Sequence, residues 1–186
     1  MKHKNLANIA VSAAIICILA PFSFPLGAIP FSLATFAIYI ISCLSTCKLS
    51  ISATIIYILL GAAGLPVFSG FVGGFQQIAG ITGGYIIGYI PCAFIISLFV
   101  NRFENKKLIF PISMLTGTAV CYLFGTAWYS FQTKANFIAA FAICVLPFLV
   151  GDIIKIAVAS VLGFTLRKKL SKFIIPSVIS MVLVGT

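Results

Sequence analysis

The stretch Leu146-Pro-Phe-Leu-Val-Gly-Asp-Ile-Ile-Lys155 places two charged residues in otherwise apolar sequence. Asp152 is one of only two acidic residues in the chain, and Lys155 follows it three positions later. On a helix, residues three apart lie on one face, so the two side chains can pair. Ionisable groups inside a membrane span are costly and usually mark a binding site or a pathway. The plainer alternative is a pair that only links helices.

The composition identifies the chain as a polytopic membrane protein. It has 186 residues, of which 62% are hydrophobic and 8% are charged, and its mean hydropathy is +1.23. A soluble domain of this length could not bury so much apolar surface. At roughly 20 residues per span, the length allows about six spans with short loops and leaves no room for a soluble domain.

The apolar segments predict an all-α integral membrane protein with six transmembrane helices in a single domain, residues 1–186. A shorter apolar segment stopped by Pro147 predicts a re-entrant or interfacial helix at about 137–147. Asp152 then falls in the first turn of the last span, where the helix dipole favours a negative charge. The tail 173–186 is expected to lie along the membrane interface. The spans are expected at about 6–20, 31–47, 49–65, 81–100, 108–128 and 150–166.

The basic residues predict the orientation in the membrane. The formal net charge is +10, and the Lys and Arg residues lie in short clusters between apolar runs, as topology-setting residues do. With six spans, ten of them fall on one side, Lys134 alone falls on the other, and Lys155 lies within a span. Both termini are therefore expected in the cytoplasm. No nucleic-acid partner is expected, because the basic residues do not alternate with aromatic residues as in a single-strand platform.

This orientation brings three uncharged segments together on the outer face, namely Pro21–Pro30, Pro66–Gly80 and the approach to Asp152. They are rich in proline, glycine and aromatic residues, and glycine allows the backbone to come close to a ligand. Gln76 and Gln77 in the second segment can both donate and accept hydrogen bonds. The sequence therefore predicts an outward-facing pocket for a small, mostly apolar ligand with a few polar atoms.

The chain carries few groups for catalysis or metal binding. It has no Gly-x-x-x-x-Gly-Lys-Ser/Thr phosphate loop, no Gly-x-Ser-x-Gly elbow and no His-Glu-x-x-His motif. Its only histidine is His3, and its six cysteines include no Cys-x-x-Cys pair, so neither a metal site nor a cofactor is expected. We therefore expect a non-enzymatic transport subunit without an ATPase motif, which depends on another component for energy.

Two features have a structural and a functional interpretation. Ala10 and Ala14 lie on one face of the first helix, where small residues four apart allow another helix to approach closely. That face could serve packing within the protein or the docking of a partner. Trp128 and Tyr129 end the fifth span where an interfacial aromatic belt would lie, so anchoring competes with ligand stacking as the role of Trp128.

Four motifs together give the chain a family resemblance. They are Gly64-Leu-Pro-Val-Phe-Ser-Gly70, Gly80-Ile-Thr-Gly-Gly-Tyr85, Gly125-Thr-Ala-Trp128 and the stretch from Leu146 to Lys155. In this order they resemble the BioY family, the biotin-binding S component of energy-coupling factor (ECF) transporters, over nearly the whole chain. The resemblance implies the ECF S-component fold in a bacterial cell membrane, with biotin bound near the outer face. It also implies uptake with a transmembrane coupling protein and two ABC-type ATPases.

The resemblance assigns roles to the charged and amide side chains. Asp152 and Lys155 match the biotin-binding Asp-x-x-Lys motif of the family. Ionised Asp152 can accept a hydrogen bond from a ureido N–H of biotin, and Lys155 can donate to the ureido carbonyl or pair with the carboxylate. Gln76 or Gln77 is expected to meet a polar end of the ligand.

The resemblance also implies aromatic walls and a docking face. Tyr85, Phe75 and Trp128 are the expected walls around the ring system of biotin. Ala10 and Ala14 look like the surface on which the family's coupling protein docks, which favours docking over internal packing.

The chain departs from the family pattern at two places, and other functions stay open. The family often has a glutamine after Pro-Phe-Thr-Leu, whereas this chain has Pro30-Phe-Ser-Leu-Ala34, and it often has proline where Ile81 stands. A polar contact from the second span is therefore open. The alternatives are an S component for thiamine or riboflavin, a small membrane enzyme acting on lipid, and a solitary biotin channel or facilitator.

Overall fold

The protein is a bundle of helices with one short hairpin, seen in a computed structural model. The structure describes residues 2–26, 29–103 and 106–183, with the side chains of 5–24, 29–103 and 106–169. A 3-10 turn, Leu146–Phe148, precedes the last helix. The elements in chain order are α1 (Lys2–Leu19), β1 (Ser23–Leu26), β2 (Ile29–Ser32), α2 (Ala34–Leu44), α3 (Cys47–Ala62), α4 (Phe75–Ala79), α5 (Gly83–Arg102), α6 (Ile109–Thr133), α7 (Phe137–Cys144) and α8 (Leu149–Leu183).

The predicted all-helical membrane fold is confirmed. Within the described chain, three segments are long and apolar enough to cross a membrane: α5, α6 and the stretch Phe137–Lys169, which joins α7 to α8. Three shorter apolar helices, at Asn5–Leu19, Ala34–Leu44 and Cys47–Ala62, lie where the first three spans are predicted. These apolar helices thus follow the predicted order of the spans, although α2 has only 11 residues.

The three prolines of Pro21–Pro30 predict a loop folded back against the membrane face, but this segment forms a hairpin instead. Strands β1 and β2 pair antiparallel, with Ser23 opposite Ser32 and Phe24 opposite Phe31. Both strands are edges of a two-stranded sheet, where prolines are tolerated. Strand pairing also satisfies backbone groups that irregular chain would leave unpaired in an apolar setting. Because β2 leads directly into α2, the hairpin reaches into the bundle.

The last helix is longer than predicted. The sequence predicts a span that closes near Leu166, with a separate tail along the interface, whereas α8 continues to Leu183. The basic cluster Arg167–Lys169 ends the apolar run, but Lys and Arg are good helix formers and do not end a helix. The side chains of the tail lie outside the described residues.

Gly80, Gly84 and Gly88 are spaced four residues apart, which predicts a ridge for tight helix packing, and glycines do bring α5 and α6 together. A Cβ at Gly88 would lie 3.3 Å from the Cα of Cys121, and a Cβ at Gly84 would collide with Trp128. Both glycines therefore allow close packing of α5 on α6. The third glycine of the predicted ridge, Gly80, lies before the helix at the end of α4.

Arg167 holds the opposite end of the bundle from the hairpin. It donates to the carbonyl of Cys43 at 2.6 Å and to Asn101 Oδ1 at 2.8 Å. These bonds join α8 to the last turns of α2 and α5. Arg167 lies twelve residues from Lys155 on α8, about 18 Å along the helix axis. The charged pair is therefore nearer the hairpin end of the bundle.

Candidate functional site

A cavity opens at the hairpin end, between β2, α5 and the start of α8. The cavity and the solvent-open space in front of it together measure about 680 Å³. The three outer segments predicted to converge all contribute to its wall. The lining residues are Ile29, Pro30, Phe31, Ser32, Thr35, Tyr57, Phe68, Ser69, Gln77, Thr82, Tyr85, Ile86, Tyr89, Phe148, Asp152 and Lys155.

The predicted pair forms the charged end of this cavity. Lys155 Nζ lies 3.0 Å from Asp152 Oδ1, and the two residues are only 7% and 6% exposed. Pro147 interrupts the chain after α7, so α8 restarts at Leu149 and Asp152 lies in its first turn. There the unpaired N–H groups and the helix dipole favour a carboxylate. The pair carries no net charge, which lowers the cost of burying it.

Lys155 also binds the junction between β2 and α2. Its ammonium donates to the Ser32 carbonyl at 2.6 Å and to Thr35 Oγ1 at 3.1 Å, in addition to Asp152. These partners account for all three protons of a lysine ammonium. The ammonium also lies 3.5 Å from the centre of the Phe31 ring, a cation–π contact. Lys155 thereby fixes the hairpin to α8.

Tyr122 on α6 is a partner of the pair that the sequence did not reveal. Its hydroxyl donates to Asp152 Oδ2, while Lys155 occupies Oδ1. Its ring packs edge-on against Tyr85, with centroids 6.5 Å apart. Tyr122 does not line the cavity, so it acts on the ligand site through Asp152. A tyrosine in an apolar helix gives no sequence signal for such a contact across 30 positions.

Aromatic side chains form the wall beyond the pair. Phe31 and Phe148 stack with parallel rings, centroids 6.1 Å apart, and Tyr57 meets Phe68 edge-on at 5.6 Å. Gly151 allows this arrangement because a Cβ there would overlap the Phe31 ring. None of these four aromatic residues is predicted as a ligand residue from the sequence.

Another part of the cavity wall is polar but uncharged. Ser69, Gln77 and Thr82 line it and are half-buried. Thr82 Oγ1 donates to the Gln77 carbonyl at 3.1 Å, which holds the loop. The loop also bonds the hairpin base, because the N–H of Gly70 donates to the Pro21 carbonyl at 2.9 Å.

Two of the five predicted neutral ligand residues, Tyr85 and Gln77, line the cavity. The other three lie outside it. Phe75 is 69% exposed. Gln76 is exposed, and its amide donates to the Gly73 carbonyl at 3.1 Å.

Trp128, the third, has a packing role in this structure. Its indole N–H donates to the carbonyl of Gly80 at 2.9 Å, and its side chain packs on Gly83 and Gly84. It therefore fastens the loop after α4 to α6. Trp128 faces this interhelical contact and the Phe75 ring faces outward, so neither is placed to wall a ligand in the cavity.

Ala10 and Ala14 both lie on the exposed side of α1, while Ala13 on the other side is buried. They do not pack within the chain, although internal packing was one interpretation of their spacing. Large apolar side chains such as Leu6 and Ile18 accompany them. This surface is apolar and available to lipid or to another helix.

Comparisons with known proteins agree with this architecture. The BioY family model matches residues 1–172. A biotin transporter of Thermotoga maritima is 33% identical over 165 residues, which cover 89% of this chain and 96% of that protein. A biotin transporter of Lactococcus lactis is 30% identical over 170 residues, 91% of this chain and 93% of that protein.

The fold matches a solved structure of the same kind. The crystal structure of an S component for biotin from an ECF-type ABC transporter superposes with a TM-score of 0.81 and 26% identity. The match covers 90% of this chain and 92% of that protein. With the family model spanning nearly the whole chain, and with relatives of matching length, the chain belongs to the BioY family.

Proposed function

We propose that this protein is the substrate-binding membrane subunit that captures biotin from the outer face for ATP-driven uptake. The observation that carries the proposal is the buried Asp152–Lys155 pair in the wall of an aromatic-lined cavity. The relatives named as biotin transporters support the choice of ligand. A small apolar ring system with a polar head fits a cavity of this kind.

The charge of the pair supports one orientation of biotin. Asp152 and Lys155 neutralise each other, so a ligand carboxylate would find no surplus positive charge there and would meet the repulsion of Asp152. The ureido head is neutral and offers N–H donors beside a carbonyl acceptor. Asp152 has lone pairs beyond those used by Lys155 and Tyr122, and can accept from a ureido N–H. We infer that the ureido head lies at the pair.

We infer that the carboxylate tail of biotin then points to the uncharged polar part of the cavity wall. Gln77, Ser69 and Thr82 line that part, and amide or hydroxyl donors can bind a carboxylate that keeps part of its hydration. Replacing the biotin carboxylate with a neutral amide should therefore change affinity little, about threefold or less, on the scale of one neutral hydrogen bond. A loss of several hundredfold would instead place the carboxylate on Lys155.

Energy for uptake would come from other subunits, a transmembrane coupling protein and two ABC-type ATPases. The apolar side of α1 around Ala10 and Ala14 is the proposed docking surface for the coupling protein. The excess of Lys and Arg on one side supports cytoplasmic termini. In that orientation the cavity would open towards the outer face, and the first turn of α1 would lie on the side of the ATPases.

Reconstituted vesicles provide the test. The protein is inserted with the coupling protein and ATPases, ATP is enclosed on the ATPase side, and uptake of labelled biotin, thiamine and riboflavin is measured. We expect ATP-dependent uptake of biotin alone, and none with an ATPase that cannot hydrolyse ATP. Uptake of thiamine or riboflavin instead of biotin would overturn the proposed ligand. Equal biotin flux without the partners would identify a facilitator.

A further inference from the structure

Thr35 lies next to the charged pair, and within the part of the chain that the structure describes its hydroxyl proton is not donated to any group. Its oxygen accepts from Lys155 Nζ at 3.1 Å, and the residue lines the cavity. Among the described residues, no acceptor lies in hydrogen-bond contact with the Thr35 hydroxyl proton.

Two buried threonines in other helices use that proton, whereas the Thr126 hydroxyl in α6 has no partner among the described residues. Thr54 donates to the Ser50 carbonyl at 2.9 Å, and Thr118 donates to the Met114 carbonyl at 2.7 Å, each four residues back in its own helix. Thr35 is the second residue of α2, so the position four residues back, Phe31, belongs to strand β2. The change from strand to helix therefore frees the Thr35 hydroxyl.

The neighbouring lysine makes this free donor stronger. All three protons of the Lys155 ammonium are bound to Ser32, Thr35 and Asp152, so Lys155 reaches a new acceptor only by breaking an existing bond. A hydroxyl that accepts from a cation becomes a better donor, because hydrogen bonds in a chain polarise one another. The Thr35 hydroxyl, polarised by the Lys155 ammonium, can therefore donate a strong hydrogen bond to a ligand while all three bonds of Lys155 stay intact.

We propose that Thr35 is a ligand-contacting, specificity-determining residue that donates its hydroxyl to the ureido carbonyl of biotin. This rests on the proposed function and on the ureido head lying at the pair. Asp152 would accept a ureido N–H while Thr35 donates to the adjacent carbonyl. Lys155 would then orient both groups rather than bind the ligand itself.

The test compares Thr35→Val with Thr35→Ser in purified full-length protein, using equilibrium binding of biotin. Valine keeps the shape and removes the donor, so we expect affinity to fall about tenfold, the scale of a buried hydrogen bond left unmade. Serine keeps the hydroxyl and is expected to restore affinity to within about threefold. Thr54→Val is the matched control, since Thr54 is buried, lies outside the cavity and bonds only its own helix.

A biotin analogue with sulfur in place of the ureido oxygen separates direct contact from a structural role, because a thiocarbonyl is a weaker acceptor. The wild type should prefer biotin to this analogue, and Thr35→Val should lose most of that preference. Unchanged affinity in Thr35→Val, or lower affinity with an unchanged preference, would overturn the inference and place the carbonyl on Lys155. Wild-type protein that binds no biotin would instead overturn the proposed function.

Discussion

At the scale of single residues, the site is a neutral pair whose members are each held by further partners. Asp152 is bound by Lys155 and Tyr122, and Lys155 is bound by Ser32 and Thr35. Removing one member of a buried pair leaves the other charge unpaired. This lowers the stability of the protein by more than the intact pair contributes to it. Mutations at the pair should therefore have large effects on both folding and ligand binding.

Replacing Lys155 with alanine should leave Asp152 as a buried, unpaired charge. We expect the free energy of unfolding to fall by about 3–5 kcal/mol and biotin affinity to fall at least about tenfold. Thermal unfolding in detergent and calorimetric titration measure the two effects. Lys106→Ala, which removes an exposed lysine outside the cavity, is the control. Wild-type affinity in Lys155→Ala would exclude a role for the pair in binding.

Removing the Tyr122 hydroxyl should weaken biotin binding indirectly, because Tyr122 contacts Asp152 and does not line the cavity. The bond between Tyr122 and Asp152 is charge-assisted, so Tyr122→Phe should weaken the free energy of biotin binding by about 1.5–3 kcal/mol. Tyr39→Phe is the control, since Tyr39 bonds Thr118 instead. The chain has only two acidic side chains, so infrared difference spectra against Asp152→Asn identify the Asp152 carboxylate band. That band should shift in Tyr122→Phe. An unmoved band with normal affinity would contradict this role.

The sequence predicts the pair but not its surroundings. Three-residue spacing on a helix brings Asp152 and Lys155 together whatever the rest of the fold does. Tyr122 and the Ser32 carbonyl reach the pair only through tertiary packing, over separations of 30 and 123 positions. Phe75 and Gln76 are predicted from the glycine-rich outer segment that holds them and from the family resemblance, but neither determines which way a side chain points.

At the scale of elements, α8 and the hairpin meet at a glycine. Gly151→Ala would introduce a methyl group into the space of the Phe31 ring, and such overpacking costs about 1–3 kcal/mol. Displacing the Phe31 ring would break its cation–π contact with the Lys155 ammonium, so biotin affinity should also fall. Calorimetry and thermal unfolding of the variant measure both effects. Val150→Ala, on the exposed side of the same helix, should change neither. Unaltered affinity in Gly151→Ala would show that Phe31 does not shape the site.

The predicted element boundaries are close to the observed ones where apolar runs are long. They are wrong where prolines or charged residues predict the end of an element. The helices α5 and α6 lie close to their predicted spans because their apolar runs are uninterrupted. Pro21–Pro30 predicts irregular chain, yet strand pairing satisfies its backbone better. Arg167–Lys169 predicts an end to the last span, yet the helix continues because nothing in the cluster disrupts its hydrogen bonds.

At the scale of the whole molecule, one surface is proposed for a partner and one cavity for a ligand. A cysteine at Ala10 or Ala14 should crosslink to the coupling protein in the assembled transporter, tested in a background that lacks the six native cysteines. A cysteine at Ala13, on the buried side of the same helix, is the control and should not react. Crosslinks at Ala13 alone, or at none of the three sites while an established pair reacts, would refute the docking surface.

The measurement that tests the central claim most directly is calorimetric titration of biotin into the purified protein without partner subunits. The wild type should bind biotin saturably, and Asp152→Asn should weaken binding at least about tenfold. Glu104→Gln, which changes the other acidic residue of the chain, should bind as the wild type does. Folded, monodisperse protein that binds no biotin, or equal affinity in Asp152→Asn, would contradict the assignment of this cavity as the biotin site.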